Sequence, residues 1–438
     1  MKKNNLSIIS QLVLTGAVTF FATGCKKNYD NTNAATQDQV YNSAKGLTGT
    51  AIGLQRNYSL GLTSNIYNLN TAVGFTTNEV SLRNAGNIPE LQLSTGGSTV
   101  DGTNGVLANL WINSNKIIYD ANNVIARAEQ LSDKGYASGL IGYTSIWKTL
   151  SLGSLSMSWE KVPDTTGSSV TFSDRLQGFN RAIAVIDKAL AAISTTPVST
   201  AFASDINGTG IDIVNTLYAL KARYALFAGN YTTALAAANA VDLSKKSVFN
   251  FDAVNPNTIY QAVTSTNNIY QPLDSALGLP AGLQPDLTDK RIPFYTTFNP
   301  TIAPRYRFNG FWSATTTPIP VYLPDEINLV KAECLVRQAV PDLASAKNII
   351  DAILKQTPAQ DAFGVGADIA AGYTGSVTVA ALLNEIYRNR CIELFFSGLK
   401  LEDMRRFARP AAERKRNFFP YPFRERDGNP NTPADPAF

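Results

Sequence analysis

The stretch NTLYALKARYALFAGNYTTALAAANAV, residues 215–241, constrains this fold more than any other. Apolar residues at helical spacing run to Phe227, Gly229 breaks the run, and Tyr231, Ala234 and Ala238 start it again. Glycine ends one helix, tyrosine seats the turn, and small alanines let a second helix pack closely on the first. That is the logic of a tetratricopeptide helix pair. DEINLVKAECLVRQAVPDLASAKNIIDAILKQ (325–356) reads as another pair, turned at Pro341 and Asp342. The repeats are degenerate, so helix pairs follow without a fixed period.

The same period recurs upstream. In NGVLANLWINSNKIIYDANNVIARAEQL (104–131), Leu107, Leu110, Ile117, Ala121, Val124 and Ala128 form one apolar stripe. Trp111, Ile118 and Ile125 widen it to the breadth a core-facing helix needs, which makes Trp111 a core residue. Further helices are expected over 37–57, over 137–159 (ended by Pro163) and over 174–193. Residues 59–102 read as loop, being rich in Gly, Ser, Thr and Asn. Between about 248 and 320 the helical signal fades into a mixture of prolines and aromatics. Irregular segments this long within a domain are usually functional or disordered, and dense aromatics need somewhere to pack. The expected class is mainly all-α, tetratricopeptide-like helix pairs with long irregular loop insertions that carry a ligand site.

The N-terminus is of another kind. Lys2 and Lys3 precede a mostly apolar run from Leu6 to Ala22, which ends in FFATGC, Phe20 to Cys25. A charged start, a short apolar run and small residues before a cleavage point make a secretory signal. The run is shorter and more polar than the ~20 residues a spanning helix requires. Small residues directly before a cysteine resemble the lipobox of bacterial lipoproteins. The reading is therefore a signal peptide at 1–24, a lipidated tether at 25–36 acylated at Cys25, and a single helical domain at 37–438. Acyl chains would hold that domain to a membrane without a span.

Charge and residue usage exclude several function classes. The formal charge of +4 falls to near +2 without Lys2 and Lys3, which points to no nucleic-acid partner. The basic run RRFARPAAERKR (405–416) reads as a solvated helix end. Histidine is absent, which removes Ser-His-Asp and Cys-His hydrolysis and zinc sites of the HExxH type. No GxSxG, P-loop or EF-hand pattern occurs, and SGLK (397–400) lacks the partner motifs of penicillin-recognising enzymes. No cofactor and no linear metal-ligand motif emerges, and a calcium site built from scattered loop Asp and Asn stays open. Cys334 and Cys391 lie in apolar helical contexts, where a free buried thiol is expected.

LLNEIYRNRCIELFFSGLKLEDMRRFARP (382–410) resembles the signature of SusD/RagB-like outer-membrane nutrient-binding lipoproteins, through Glu385, Arg388, Arg390, Glu393, Gly398, Asp403, Arg405 and Arg406. The ending FFPYPFRERDGNPN is similar to that of the family through Pro420, Pro422, Glu425, Asn429, Pro430 and Asn431. LWINSNKIIYDANNVI resembles its first tetratricopeptide-like helix, and DEINLVKAECLVRQ its late acidic helix. The resemblance implies a non-enzymatic protein of the cell surface. It would hold a glycan or peptide over a TonB-dependent outer-membrane barrel.

Within the signature, Glu385, Arg388, Glu393, Asp403 and Arg405 are spaced for i,i+3 or i,i+4 contacts and for bridging two helices, a structural role. A sugar site wants exposed aromatic platforms with polar side chains reaching the hydroxyls. The irregular segment offers Tyr295, Arg305, Tyr306, Asn309 and Trp312, with Trp312 the expected exposed platform. Tyr67, with Tyr58 and Asn68, could face them from the early loop. No catalytic residue is proposed. Two other readings stand beside this one: a tetratricopeptide-like scaffold that binds only protein, and a carboxylate-dependent glycoside hydrolase.

Overall fold

A computed structural model of the protein describes residues 41–264, 268–303 and 305–438. The signal peptide, Cys25 and the tether lie outside the described residues, as does the expected start of the first helix. The principal helices are α1 (Ala44–Ser59), α2 (Asn65–Thr76), α3 (Gly105–Ala128), α4 (Lys134–Ser158), α5 (Arg175–Thr195), α6 (Ile213–Phe227), α7 (Tyr231–Asn239), α8 (Pro324–Arg337), α9 (Leu343–Lys355), α10 (Val379–Glu393) and α11 (Lys400–Arg406). Several shorter helices lie between them.

Consecutive helices pack as pairs, α3 on α4, α4 on α5, α6 on α7 and α8 on α9, and α7 packs on α8 to continue the stack. Their starts are written in the sequence. Asn104, Asp133, Asp212 and Asp342 each accept a hydrogen bond from a backbone N–H in the first turn of α3, α4, α6 and α9. The α6–α7 turn follows the expected pattern, with Gly229 left-handed and Ala234 and Ala238 fully buried. One large core runs through most of the chain, and Leu329, Val336, Ile350, Ile353, Leu382 and Ile386 form a second under α8, α9 and α10. Each large apolar side chain sealed there contributes roughly 1.5–3 kcal/mol. Cys334 and Cys391 are free and buried, and burial pushes both thiols up to about 12. Among the described residues no helix is long and apolar enough to cross a membrane.

The 59–102 stretch is not the loop its composition suggests. It contains α2, whose residues are all buried, and the short helix Ile88–Thr95. Its polar side chains are matched inside: the Asn65 amide donates to Ser114 Oγ, the Asn70 amide donates to the Phe396 carbonyl, and the Thr71 and Tyr270 hydroxyls share a hydrogen bond. A helix buried on every side has no apolar stripe to detect.

Among the described residues, strands are few and short. Four antiparallel pairs join β1 (Val80–Leu82) to β5 (Tyr270–Pro272), β2 (Lys161–Pro163) to β3 (Phe172–Asp174), β4 (Val248–Phe249) to β8 (Ile319–Pro320), and β6 (Thr296–Phe298) to β7 (Tyr306–Phe308). Three of these pairs involve the irregular 248–320 segment. They turn it into an ordered platform on the helical stack.

Candidate ligand-binding surface

The β6–β7 hairpin presents the most exposed aromatic group of the irregular segment. Phe298 and Tyr306 are directly opposed across the strands, with ring centroids 5.6 Å apart at 63°. Phe298 is 56% exposed and Tyr306 half-buried. The Arg305 guanidinium lies 6.0 Å from the centroid of the Phe298 ring, and its side chain is exposed. Asn309, half-buried, donates from its amide to the Pro293 carbonyl at 3.2 Å and from its backbone N–H to the Tyr295 carbonyl. Strand alternation puts Phe298 and Tyr306 on the same face as Thr296 and Phe308, but Thr296 and Phe308, opposed at the hairpin base, are buried, while Phe298, two residues farther out, lies beyond the core and is exposed.

Tyr295 and Trp312 correct the sequence expectation. They are 1% and 3% exposed, so neither is a surface platform. Tyr295 packs on Trp312 at 5.6 Å, Phe308 on Trp312 at 5.1 Å, and Phe395 and Phe396 close the cluster behind them. The flanking Gly310 and Ser313 suggest exposure, but Phe395 and Phe396 come from a segment some 80 residues later and cover the ring. Tyr67 is also corrected, being 3% exposed in α2, where its hydroxyl donates to Glu90 Oε1 at 2.7 Å. Tyr58 and Asn68 are buried as well. Of the six expected ligand contacts the structure brings Arg305, Tyr306 and Asn309 to one end of the segment and turns the other three inward. Phe298 was missed. A two-residue offset from buried Thr296 returns Phe298 to the same strand face, so alternation gives no sign of its exposure, which comes from its distance from the hairpin base.

Tyr295 and Trp312 also line an internal cavity of about 90 Å³, with Tyr58, Asn70, Phe311 and Glu393. Trp312 Nε1, Glu393 Oε1 and Ser397 Oγ, all from cavity-lining residues, have no hydrogen-bond partner among the described residues. Arg223 crosses beside it to Glu326, with Nε to Oε1 at 2.5 Å and Nη2 to Oε2 at 2.6 Å.

The carboxylates of the C-terminal signature are held in the core by arginines. Arg388 pairs with Glu385 within α10, and Arg405 with Glu402 within α11. Asp403 bridges helices, accepting from Arg390 of α10 at 3.0 Å and from Arg406 at 2.8 Å, and Arg406 continues to Glu333 of α8. Glu393 accepts from Arg291 at 3.2 Å, and Arg291 is forked onto Asp289. The helical spacing indicated the local pairs. It could not indicate Arg291, Asp289, Glu333 or Arg175, which pairs with Glu402 at 2.8 Å; all four arrive from distant parts of the chain.

A more open cleft of about 620 Å³ is lined by Asp325, Asn328, Gln360 and Asp361. The Asp325 carboxyl is 2% exposed; it accepts from the Asn328 amide, and its Oδ2 has no partner among the described residues. Burial pushes its pKa up to about 6, with Asp361 adding to the shift and Asn328 and Arg291 opposing it. The unfolded chain therefore releases this proton first, near pH 4. Asp325 then makes the fold progressively less stable as pH rises from about 4 to about 6. Asp325→Asn should remove that slope and leave the protein about 3 kcal/mol more stable than the parent at pH 8 and nearly unchanged at pH 4. Urea denaturation at the two pH values measures the difference, and an equal effect at both would refute the assignment.

Comparison with known proteins agrees on architecture. No family model and no curated protein matches the sequence. Solved structures do. A SusD superfamily protein from Parabacteroides distasonis superposes with a TM-score of 0.69 at 14% identity, covering 92% of this chain and all of that one. A SusD-like carbohydrate binding protein from Bacteroides fragilis gives 0.67 at 14%, covering 90% and 99%. A protein described as a laminarin binding SusD-like protein gives 0.61 at 15%, again covering 90% and 99%. The resemblance read from the C-terminal signature is thus matched by a helical fold similar to that of solved SusD-superfamily structures.

Proposed function

We propose that this chain is a non-enzymatic glycan-binding lipoprotein of the outer membrane, anchored through an acylated Cys25 and passing its ligand to a partner TonB-dependent barrel. In this reading residues 1–24 are a signal peptide, 25–36 a tether, and the chain from 37 onward one binding domain. The observation that carries the ligand assignment is the solvent-facing Phe298–Tyr306 pair with Arg305 over it. Sugar rings present apolar C–H faces, and an exposed aromatic pair flanked by hydrogen-bonding side chains suits them. The structural neighbours described as carbohydrate-binding and laminarin-binding support the same class. Tyr306, Arg305 and Asn309 are the contacts, with Phe298 added. Tyr295 and Trp312 act beneath them, as the rigid aromatic floor on which the hairpin is built, and Tyr67 stiffens α2 behind.

Against a hydrolytic reading stands the use of the signature acids. Glu393, Glu402 and Asp403 are buried and bonded to arginines, whereas general acid–base cleavage of a glycoside needs two carboxyls facing one substrate. Two measurements test the proposal. Tagged protein recovered from native membranes in mild detergent should bring a large outer-membrane barrel with it, and Cys25→Ala should lose both. On a glycan panel Phe298→Ala should weaken whatever binds by about tenfold at unchanged melting temperature. Release of shortened products would favour the hydrolase, and capture of protein without any glycan would favour the scaffold.

A further inference from the structure

The hairpin is more than an aromatic surface; it is a cationic one. Arg83, immediately after β1, donates from Nη1 to the Ala303 carbonyl at 2.6 Å, so its guanidinium is fixed at the hairpin tip. Its backbone N–H donates to the Ile269 carbonyl, which ties it to the neighbouring strand. Arg307 donates to the carbonyls of Tyr306 and Ile302 on the same hairpin. Burial, and then the charge of Arg83, lower its pKa, as expected for guanidiniums that share a neighbourhood. Arg305 adds a third cation over Phe298.

The segments that carry Arg83 and Arg305 hold no acid of their own. No Asp or Glu occurs between Asp289 and Asp325, none between Glu79 and Glu90, and none from Asn268 to Leu273. These are the segments that build the hairpin and the sheet beside it. The flanking acids are engaged elsewhere: Glu79 accepts from the Phe396 N–H and the Thr77 hydroxyl, Glu90 from Tyr67, and Asp289 from Arg291. Neither Arg83 nor Arg305 makes a salt bridge among the described residues. Like charges held close together repel, and an arriving anion relieves that repulsion. Guanidinium forks match carboxylate and sulfate oxygens in pairs.

We propose that the ligand is an anionic glycan, one whose sugars carry carboxylate or sulfate groups, with Arg83 and Arg305 binding the charged groups while Phe298 and Tyr306 bind the ring faces. This rests on the glycan-binding reading and narrows it. A neutral glucan offers the aromatic pair its faces and leaves the cations unused.

Titration of the full chain with three oligosaccharide probes tests this: a galacturonic-acid oligomer, the same oligomer after carboxyl reduction, and a sulfated galactan oligomer. At low salt one or both anionic probes should bind at least about tenfold more tightly than the reduced one, and which of the two wins distinguishes carboxylate from sulfate. The advantage should shrink as salt is raised, because exposed charges are screened. Arg305→Gln and Arg83→Gln should each erase most of the advantage, weakening the anionic probes several-fold more than the reduced one. Phe298→Ala should weaken all probes alike. Arg305 is exposed, so its variant keeps the test valid should Arg83→Gln disturb the fold. Equal binding of all three probes overturns the anionic assignment and leaves glycan binding standing. Binding of none overturns both. An anionic preference that survives both arginine changes places the charge recognition elsewhere and also overturns the proposal.

Discussion

Arg291→Ala is expected to destabilise the protein by about 3–5 kcal/mol, the cost of breaking one side of a buried ion pair. Arg291 is completely buried, and its guanidinium meets both oxygens of Asp289, Glu393 Oε2 and Asn389 Oδ1. Burial works against its charge, and Asp289 and Glu393 together more than reverse that effect, holding its pKa above the ordinary value. Glu393 moves the other way from a usual paired acid: its burial, with Asp325 nearby, raises its pKa well above normal. Removing the arginine takes away the donor that meets both oxygens of buried Asp289. Arg291→Lys should recover little, because a single ammonium cannot span the same acceptors. The double change Arg291→Met with Asp289→Leu should recover most of the loss, since apolar replacement of a whole buried pair is often close to neutral. Chemical denaturation of the four proteins measures this. A loss below about 1 kcal/mol for Arg291→Ala would show the pair to be dispensable.

The change should reach the ligand surface as well. Arg291 opens the short helix Arg291–Tyr295, Tyr295 donates its hydroxyl to the Glu393 carbonyl, and β6 begins at the next residue. The C-terminal signature thus fixes, through α10, the base of the hairpin that presents Phe298. A motif of acids and arginines can be functional without touching a ligand.

How much of this was legible in the sequence depends on whether the information is local. The α3 stripe, the α6–α7 pair around Gly229 and the α8–α9 pair turned near Asp342 repeat apolar residues at short spacing, so periodicity and capping suffice. Helix α2 was illegible because Asn65, Asn70 and Thr71 are polar yet buried, each satisfied by a partner from another part of the chain. The candidate site divides in the same way. Tyr306, Arg305 and Asn309 lie where the irregular segment turns, and composition marks them. Trp312 stands between small residues and reads as exposed, but Phe395 and Phe396 of the distant FFSG turn cover it. The gathering of Arg83 with Arg305 is likewise beyond local reading, since over 200 residues separate them and only the β1–β5 pairing brings Arg83 to the hairpin.

That same pairing carries the other large prediction, at Gly278. Its φ is +71°, and a Cβ there would lie 2.1 Å from the Asn78 carbonyl oxygen and 2.9 Å from the Glu79 nitrogen. Leu277 before it is also left-handed, and Lys400, the last residue of SGLK, donates to the carbonyls of both at 3.2 Å. The lysine of that short motif is therefore a clamp that presses this turn onto the backbone of residues 78–79. Gly278→Ala adds left-handed strain of about 1–2 kcal/mol to an overpacking cost of about 1–3 kcal/mol, so a total near 3–4 kcal/mol is expected. The obstacle is backbone on both sides, which cannot swing away as a side chain would. Relief requires moving the turn off residues 78–79, where the Leu273 N–H donates to the Glu79 carbonyl and β1 begins. Arg83 follows directly, so ligand affinity should fall together with stability. Gly282 supplies the control: its φ is +86° with nothing within 4 Å of a built Cβ. Gly282→Ala should therefore cost only the strain, about 1–2 kcal/mol, and leave binding intact. Equal losses for the two alanines would mean that the close approach at Gly278 adds nothing. A larger loss at Gly278 alone, accompanied by weaker ligand binding, would place the clamp between the helical stack and the surface it serves.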